Sequence, residues 1–417
     1  MTVQDTNTFA AHLPFIRSQF PGLDTPWAYF DNAGGSQVLR GVADQVRDYL
    51  LTASVQLGAS YETSRKAQGR VDEGTRSVAR LINAADVREI VLGSSTTQLM
   101  ANLAAALAPS FSAGDEIIVT NTDHEANIGA WTRLGERGVV IKVWQVDPDT
   151  LELGLEDLDA LMTASTRLVC CTHASNVLGS INPVTEIARR VHARGAQIVV
   201  DGVAYAPHRQ IDVQALGVDY YVFSLYKVFG PHLALLYGRL EHLEKLSSLN
   251  HFFLPASDIP YKFQPGNVNY ELTASLTGIT GYLEALGQRL GARTPGPEAL
   301  RVAFGAMAEH EARLADLLIT FLKRQSKVRI IGRATSSAFE RVATISFVID
   351  GQTSASVPAR LDPHHLAVRH GHFYAYRLLE ALGLEPSDGV VRVSMAHYNT
   401  AEEVERLLVQ LGRLGLD

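Results

Sequence analysis

Two kinds of segment alternate through the middle of the chain. Seven short apolar runs stand out: 88–94 (REIVLGS), 115–121 (DEIIVTN), 139–146 (VVIKVWQV), 166–175 (TRLVCCTHAS), 196–202 (AQIVVDG), 220–227 (YYVFSLYK) and 232–239 (HLALLYGR). Their apolar residues are continuous rather than alternating with polar ones. That pattern predicts strands covered by helices on both faces. Helix-like segments lie between them. TTQLMANLAAALAP is stopped by Pro109, and PVTEIARRVHARG begins at Pro183 and ends at Gly195. The β-α order predicts an α/β domain with a mostly parallel, seven-stranded sheet between helices.

The last third reads differently. A long helical stretch from about 297 to 327 is followed by strand-like RVATISFVI, helical SASVPARL, strand-like LAVRHG, helical FYAYRLLEALG, strand-like GVVRVSM and helical TAEEVERLLVQLGRL. This predicts a smaller α+β C-terminal domain. The expected division is a large domain over 30–290 and a small one made of 1–29 with 291–417. The longest irregular stretch is 251–271, and irregular loops of that length are often functional.

Composition narrows the function classes. A chain of 417 residues exceeds what one core usually serves, in line with two domains. A formal net charge of −7 and the lack of a basic stripe argue against a nucleic-acid partner. There is no apolar run of the roughly 18 residues that a membrane helix needs, and no basic patch leads an apolar segment at the N-terminus. A cytoplasmic location without a membrane partner is the expectation. The two cysteines, Cys170 and Cys171, are adjacent inside an apolar strand. Neighbouring cysteines rarely pair, so they read as buried thiols rather than a disulfide framework. No metal site is expected.

Ligands of open parallel sheets bind beyond the carboxyl ends of the strands. The polar residues there are therefore the candidates. Ser95, Thr96 and Thr97 follow the first run and open a helix, as an anion site or an ordinary N-cap would. His124 follows the second run, placed to stack on a ring or simply to start a surface helix. Asn176 follows the fourth. Asp201 ends a wholly apolar strand, where an acid is costly unless a cation meets it or it caps a turn. Lys227 follows YYVFSLY. Loss of hydration there favours the neutral amine that can form an imine, although a lysine at a strand end can also reach out to water. Each has a plain alternative. Together, at the same ends of successive strands, they form the parts of a pyridoxal-phosphate (PLP) site.

The sequence resembles class V aminotransferases of PLP fold type I, and within them the cysteine-desulfurase-like group. The resemblance runs from YFDNAGG near residue 29 to HYNTAEEVERL near the end. Its most specific stretches are SNVLGSINPV, VVDG, VFSLYKVFGP and VRVSMAHYNT. It implies that Lys227 carries PLP as a Schiff base and then moves protons at the substrate α-carbon. It implies that Asp201 pairs with the pyridine nitrogen, His124 stacks on the ring and Asn176 lies near the phenolic oxygen. Phosphate contacts would come from Ser95, Thr96, Thr97, Ser224 and Tyr226, with Asn267 at the place of a phosphate-binding Thr. Arg392 would bind the substrate carboxylate, with Arg369, Ala33 and Gln56 as further substrate contacts. The family is usually a homodimer whose site borrows a residue from the partner.

The departures bear on the reaction. Tyr374 stands where cysteine desulfurases of this group carry their catalytic Cys, and Cys170 and Cys171 belong to another strand. Ala204 replaces a Gln, Tyr226 a His, and Gln56 and Ser60 two more His. Without a thiolate no persulfide can form. The leading expectation is therefore side-chain cleavage of an L-α-amino acid, such as β-elimination at a C–S bond, with Tyr374 as proton donor. Aminotransfer with a 2-oxo acid, epimerisation, and PLP binding without turnover are the alternatives. A nicotinamide-dependent dehydrogenase is disfavoured, because no GxGxxG follows the first strand.

Overall fold

In a computed structural model that describes residues 8–416, the chain folds around two sheets. A short strand, β1 (Ala28–Tyr29), precedes them. The larger sheet contains β2 (Ile90–Gly93), β3 (Glu116–Thr120), β4 (Val140–Trp144), β5 (Thr166–Thr172), β6 (Gln197–Asp201), β7 (Tyr220–Ser224) and β8 (Ala234–Gly238). Their spatial order is β2-β8-β7-β6-β5-β3-β4. Only β8 runs against its neighbours; the other pairs are parallel.

The unbroken apolar strand sequences follow from this arrangement. Successive residues of β5 and β6 point into opposite cores. Cys170 and Val199 join Leu99, Met100 and Leu103 of helix Thr96–Leu107 on one face. Cys171, Ile198 and Val200 join Ile187 and Val191 of helix Val184–His192 on the other.

The smaller sheet comprises β9 (Val328–Ile331), β10 (Thr344–Ile349), β12 (Arg369–Gly371) and β13 (Val390–Ser394), in the order β12-β13-β10-β9, all antiparallel. Between β10 and β12, β11 (Leu366–Ala367) pairs in parallel with β1. The pairing draws the segment after β1 up to the end of β13, where Asp31 bridges to Ser394. Arg369 and Arg392 are register partners across β12 and β13.

Several elements depart from expectation. Lys227 sits on a tight turn, Leu225–Lys227, just past the strand rather than in it. The run LAVRHG divides into β11 and β12, and the helix expected over 373–383 spans only Tyr376–Ala381. Helices Arg40–Thr52 and Glu62–Leu81 have no counterpart in the sequence reading. Glu62–Leu81 lies so close to helix Tyr270–Ala274 that a Cβ at Gly74 would come within 1.9 Å of the Thr273 carbonyl oxygen. Residues 1–7 of the expected N-terminal segment lie outside the described residues. Among the described residues no helix is long and apolar enough to cross a membrane, and no cluster of His, Cys, Asp or Glu could hold a metal.

Candidate active site

A cavity of about 90 Å³ opens at the carboxyl ends of the central strands. Ser95, Thr96, Thr97, His124, Asn176, Asp201, Ser224, Tyr226 and Lys227 all line it. Nine candidates scattered over 133 positions of sequence thus converge because each follows a strand or turn of one sheet.

At one end lies a hydroxyl pair. Thr96 Oγ1 and Ser224 Oγ are 2.7 Å apart and buried. Thr96 is the first residue of a twelve-residue helix capped by Ser95, whose Oγ accepts from Gln98 N at 3.2 Å. Helix N-termini attract anions through their free N–H groups and the helix dipole.

Asp201 closes β6 with only 4% of its surface exposed, and its Oδ1 accepts from Val203 N at 2.8 Å. Burial raises its carboxyl to about 6, against the opposing pull of that hydrogen bond and of Lys227. A fully buried acid needs a cationic partner to ionise cheaply. Behind it, Asp123 accepts from Thr172 N at 2.8 Å and from Asn127 Nδ2 at 2.7 Å, which fixes the turn that presents His124. Burial, with Asp201 nearby, pushes the Asp123 carboxyl well up. His124 is itself oriented by Nδ1, which accepts from Ala126 N at 3.1 Å. Burial and the neighbouring Lys227 lower it to about 4, so its ring is neutral.

Lys227 is buried, and desolvation, then Arg392, lower its amine to about 8; Asp201 and Asp31 pull the other way. Near that pH much of the amine is neutral and nucleophilic. The adjacent Tyr226 ring stacks on His232, with centroids 4.8 Å apart.

The second group of candidates stands beside the cavity. Arg392, on β13, is 2% exposed. Its Nη2 donates to Asp31 Oδ1 at 2.9 Å and its Nη1 to Asn176 O at 3.2 Å. Arg369 donates to the other oxygen of Asp31 at 3.4 Å. Ala33 N donates to Ser394 Oγ at 2.8 Å, which ties the segment after β1 to the same corner. Tyr374 is 65% exposed and holds its ring 5.1 Å from that of His124. Gln56 and Asn267 are not brought to this cavity. They line a separate groove, in which Gln56 Nε2 donates to Tyr270 OH at 3.2 Å.

Sequence reasoning missed four neighbours of the site: Asp31, Asp123, Phe373 and His232. Asp31 carried a usable signal, an acid ending the apolar run AYF just before a Gly pair. Phe373 carries no signal in the sequence beyond its place in the aromatic run HFYAY.

The donor set fits PLP. The cavity offers a hydroxyl pair at a helix N-terminus for a phosphate, a buried acid for a pyridinium, a flat neutral imidazole and a desolvated lysine amine. Comparison with known proteins agrees. The family model described as aminotransferase class-V matches residues 28–407. The chain belongs to the class V aminotransferase family. It is 44% identical to the aminotransferase-like protein FGM3 of Gibberella zeae, covering 95% of this chain and 96% of that one. It is 34% identical to the cysteine desulfurase-like protein ustD of Aspergillus flavus, over 96% of this chain and 90% of that one. Among solved structures, the cysteine desulfurase of Thermococcus onnurineus NA1 superposes with a TM-score of 0.85 at 26% identity, covering 96% and 97% of the two chains. This class V aminotransferase relative is thus a PLP-dependent enzyme of fold type I. Its two thiols, Cys170 and Cys171, are fully buried in opposite cores, and burial pushes both well up, away from the thiolate.

Proposed function

We propose that the enzyme cleaves a side-chain bond of an L-α-amino acid, as a β-eliminating lyase acting on a C–S or similar bond, without a persulfide step. One observation carries this reading: the chain's two cysteines are buried in β5, and the resemblance sets Tyr374 where the desulfurases of this group carry their catalytic thiol.

PLP, when bound, draws off the electrons of a bond broken at the substrate α-carbon. In this reading Lys227 would hold the cofactor, and its amine, when free, would accept the substrate α-proton. Asp201 keeps the ring nitrogen protonated, and the Coulombic gain of that pair offsets the cost of the buried carboxylate. His124 would pack on the ring face and Asn176 would serve the phenolic oxygen. Ser95, Thr96, Thr97, Ser224 and Tyr226 hold the phosphate. The planar fork of Arg392 takes the α-carboxylate, with Arg369 and Ala33 at the same corner. The Tyr374 hydroxyl gives its proton to the departing group.

The same reading assigns the cavity to a large domain, 30–290, and Arg369 and Arg392 to a small one built from 1–29 and 291–417. Gln56 and Asn267 face a groove away from their own cavity, which supports a homodimer in which each chain completes its partner's site.

The test is a spectrum of the purified holoenzyme before and after a panel of L-amino acids, with no 2-oxo acid present. A visible cofactor band that recovers while ammonia and an oxo acid accumulate supports elimination. A band that shifts once and stays shifted marks aminotransfer, the second reading, which the aminotransferase-like name of the 44% identical relative favours.

A further inference from the structure

We propose that Phe373 is a specificity-determining residue. It seals Arg392, so that a carboxylate is read only when its bearer is already held through its amine at the cofactor site beside Lys227. The inference rests on the reading of Arg392 as the carboxylate contact.

Three observations converge. The first is a stack: the guanidinium carbon of Arg392 lies 3.6 Å from the centroid of the Phe373 ring. A cation desolvated against an aromatic face is strongly attracted to it. The second is an unmet donor. Nη1 and Nη2 of Arg392 have acceptors, but Nε is buried without one. A buried donor of a charged group rarely goes unpaired, and it is a seat for an oxygen that has yet to arrive.

The third is backbone strain. Phe373 and Tyr374 have φ values of 50° and 60°, two consecutive side-chain-bearing residues in the left-handed region. Such residues persist only when their surroundings hold them. Here Asn176 Nδ2 donates to Phe373 O at 2.8 Å, Tyr374 N to His372 Nδ1 at 3.0 Å, and Glu125 N to Tyr374 O at 2.8 Å. Arg377 locks Glu125 in turn with two bonds, at 2.9 and 3.1 Å. On the other side Gly371, at φ 131°, supplies a residue free to turn. The segment thus combines strain with an unmet donor at Arg392, and a carboxylate there would meet the donor.

A free carboxylate must displace the ring from bulk solution. One held through its own amine at the cofactor site beside Lys227 would do so at the very high effective concentration of an intramolecular reaction. The pocket thereby favours α-amino acids over simple carboxylates and 2-oxo acids that bear the same charged group.

The test labels holoenzyme arginines with phenylglyoxal and follows each site by peptide mass spectrometry. Arg369 is the exposed reference and Arg341, 2% exposed, the folding control. In the wild type, Arg392 should react about tenfold more slowly than Arg369. Phe373→Ala should remove most of that protection, and propionate should then inhibit about tenfold more tightly, the change expected for losing one desolvated cation–π contact. Phe373→Leu, which keeps the bulk, should fall between, and it replaces the alanine variant if Arg341 becomes reactive. Wild-type Arg392 reacting as fast as Arg369 overturns the proposal. So does a folded Phe373 variant in which both labelling and propionate inhibition are unchanged. If Arg392→Ala leaves KM for the amino acid unaltered, the reading of Arg392 as the carboxylate contact fails and the specificity role of Phe373 falls with it, whereas unchanged labelling and inhibition in the Phe373 variants overturn the seal alone.

Discussion

Asp31 and Arg392 form a buried-to-exposed pair: Nη2 of the arginine donates to Oδ1 of the acid at 2.9 Å, and the other acid oxygen faces Arg369 at 3.4 Å. One carboxylate thus orients a buried guanidinium and tethers an exposed one. Asp31→Asn keeps the shape but loses a charge-assisted bond, which is worth about 1.5–3 kcal/mol. Its loss should raise KM for the amino acid about tenfold or more, with a smaller change in kcat. Steady-state kinetics decide it, and a lower KM would show that Asp31 competes with the substrate instead of placing Arg392.

Lys227 should be the sole covalent anchor of the cofactor. Lys227→Ala should abolish both turnover and the visible band of the lysine-bound form, while loosely held PLP remains detectable after denaturation. A band that survives in this variant would mean another amine does the work.

Asp201 links the site to stability. In the folded, cofactor-free chain its carboxyl is raised to about 6 from an ordinary value of 3.8. Between those two values the folded chain holds more protons than the unfolded one, so stability falls as pH rises through that window. A shift of about two units corresponds to roughly 3 kcal/mol, fully felt above about pH 6 and absent below about pH 4. Asp201→Asn should therefore raise the Tm of the cofactor-free protein at about pH 8, with the gain shrinking toward pH 4, while PLP affinity drops. Calorimetry across that range checks it, and a lower Tm at pH 8 contradicts it.

Much of this site was legible because of how an α/β sheet is built. Strands buried on both faces are written as apolar runs, so the polar residues that follow each run mark the ligand-binding edge. Thr96, His124, Asn176, Asp201 and Lys227 were found that way. Gln56 and Asn267 came from resemblance alone, and a single chain keeps them apart from the cavity. Asp31 and Phe373 escaped notice because their roles arise from tertiary pairing. Asp31 reaches Arg392 only because β1 pairs with β11, and Phe373 meets the guanidinium only through a left-handed backbone that its side chain does not advertise. The helices Arg40–Thr52 and Glu62–Leu81 escaped it too, since much of each is polar and their packing rests on small residues such as Gly74.

Tyr374 is the sharpest test of the reaction. Its ring leans at 34° against His124, its backbone is fixed by Glu125 and His372, and its side chain remains 65% exposed. A group held at the cavity mouth but free at its hydroxyl suits proton delivery to a departing side chain better than a structural role, which would bury it. General-acid catalysis of this kind contributes about 10²–10⁴ in rate. Tyr374→Phe should lower kcat by about that factor, leave KM nearly unchanged and leave the spectrum of the resting holoenzyme untouched. The loss should be smallest for substrates with a good leaving group, which need no proton, and largest for poor ones. A uniform loss across leaving groups would assign Tyr374 to positioning, and full turnover would remove it from the mechanism.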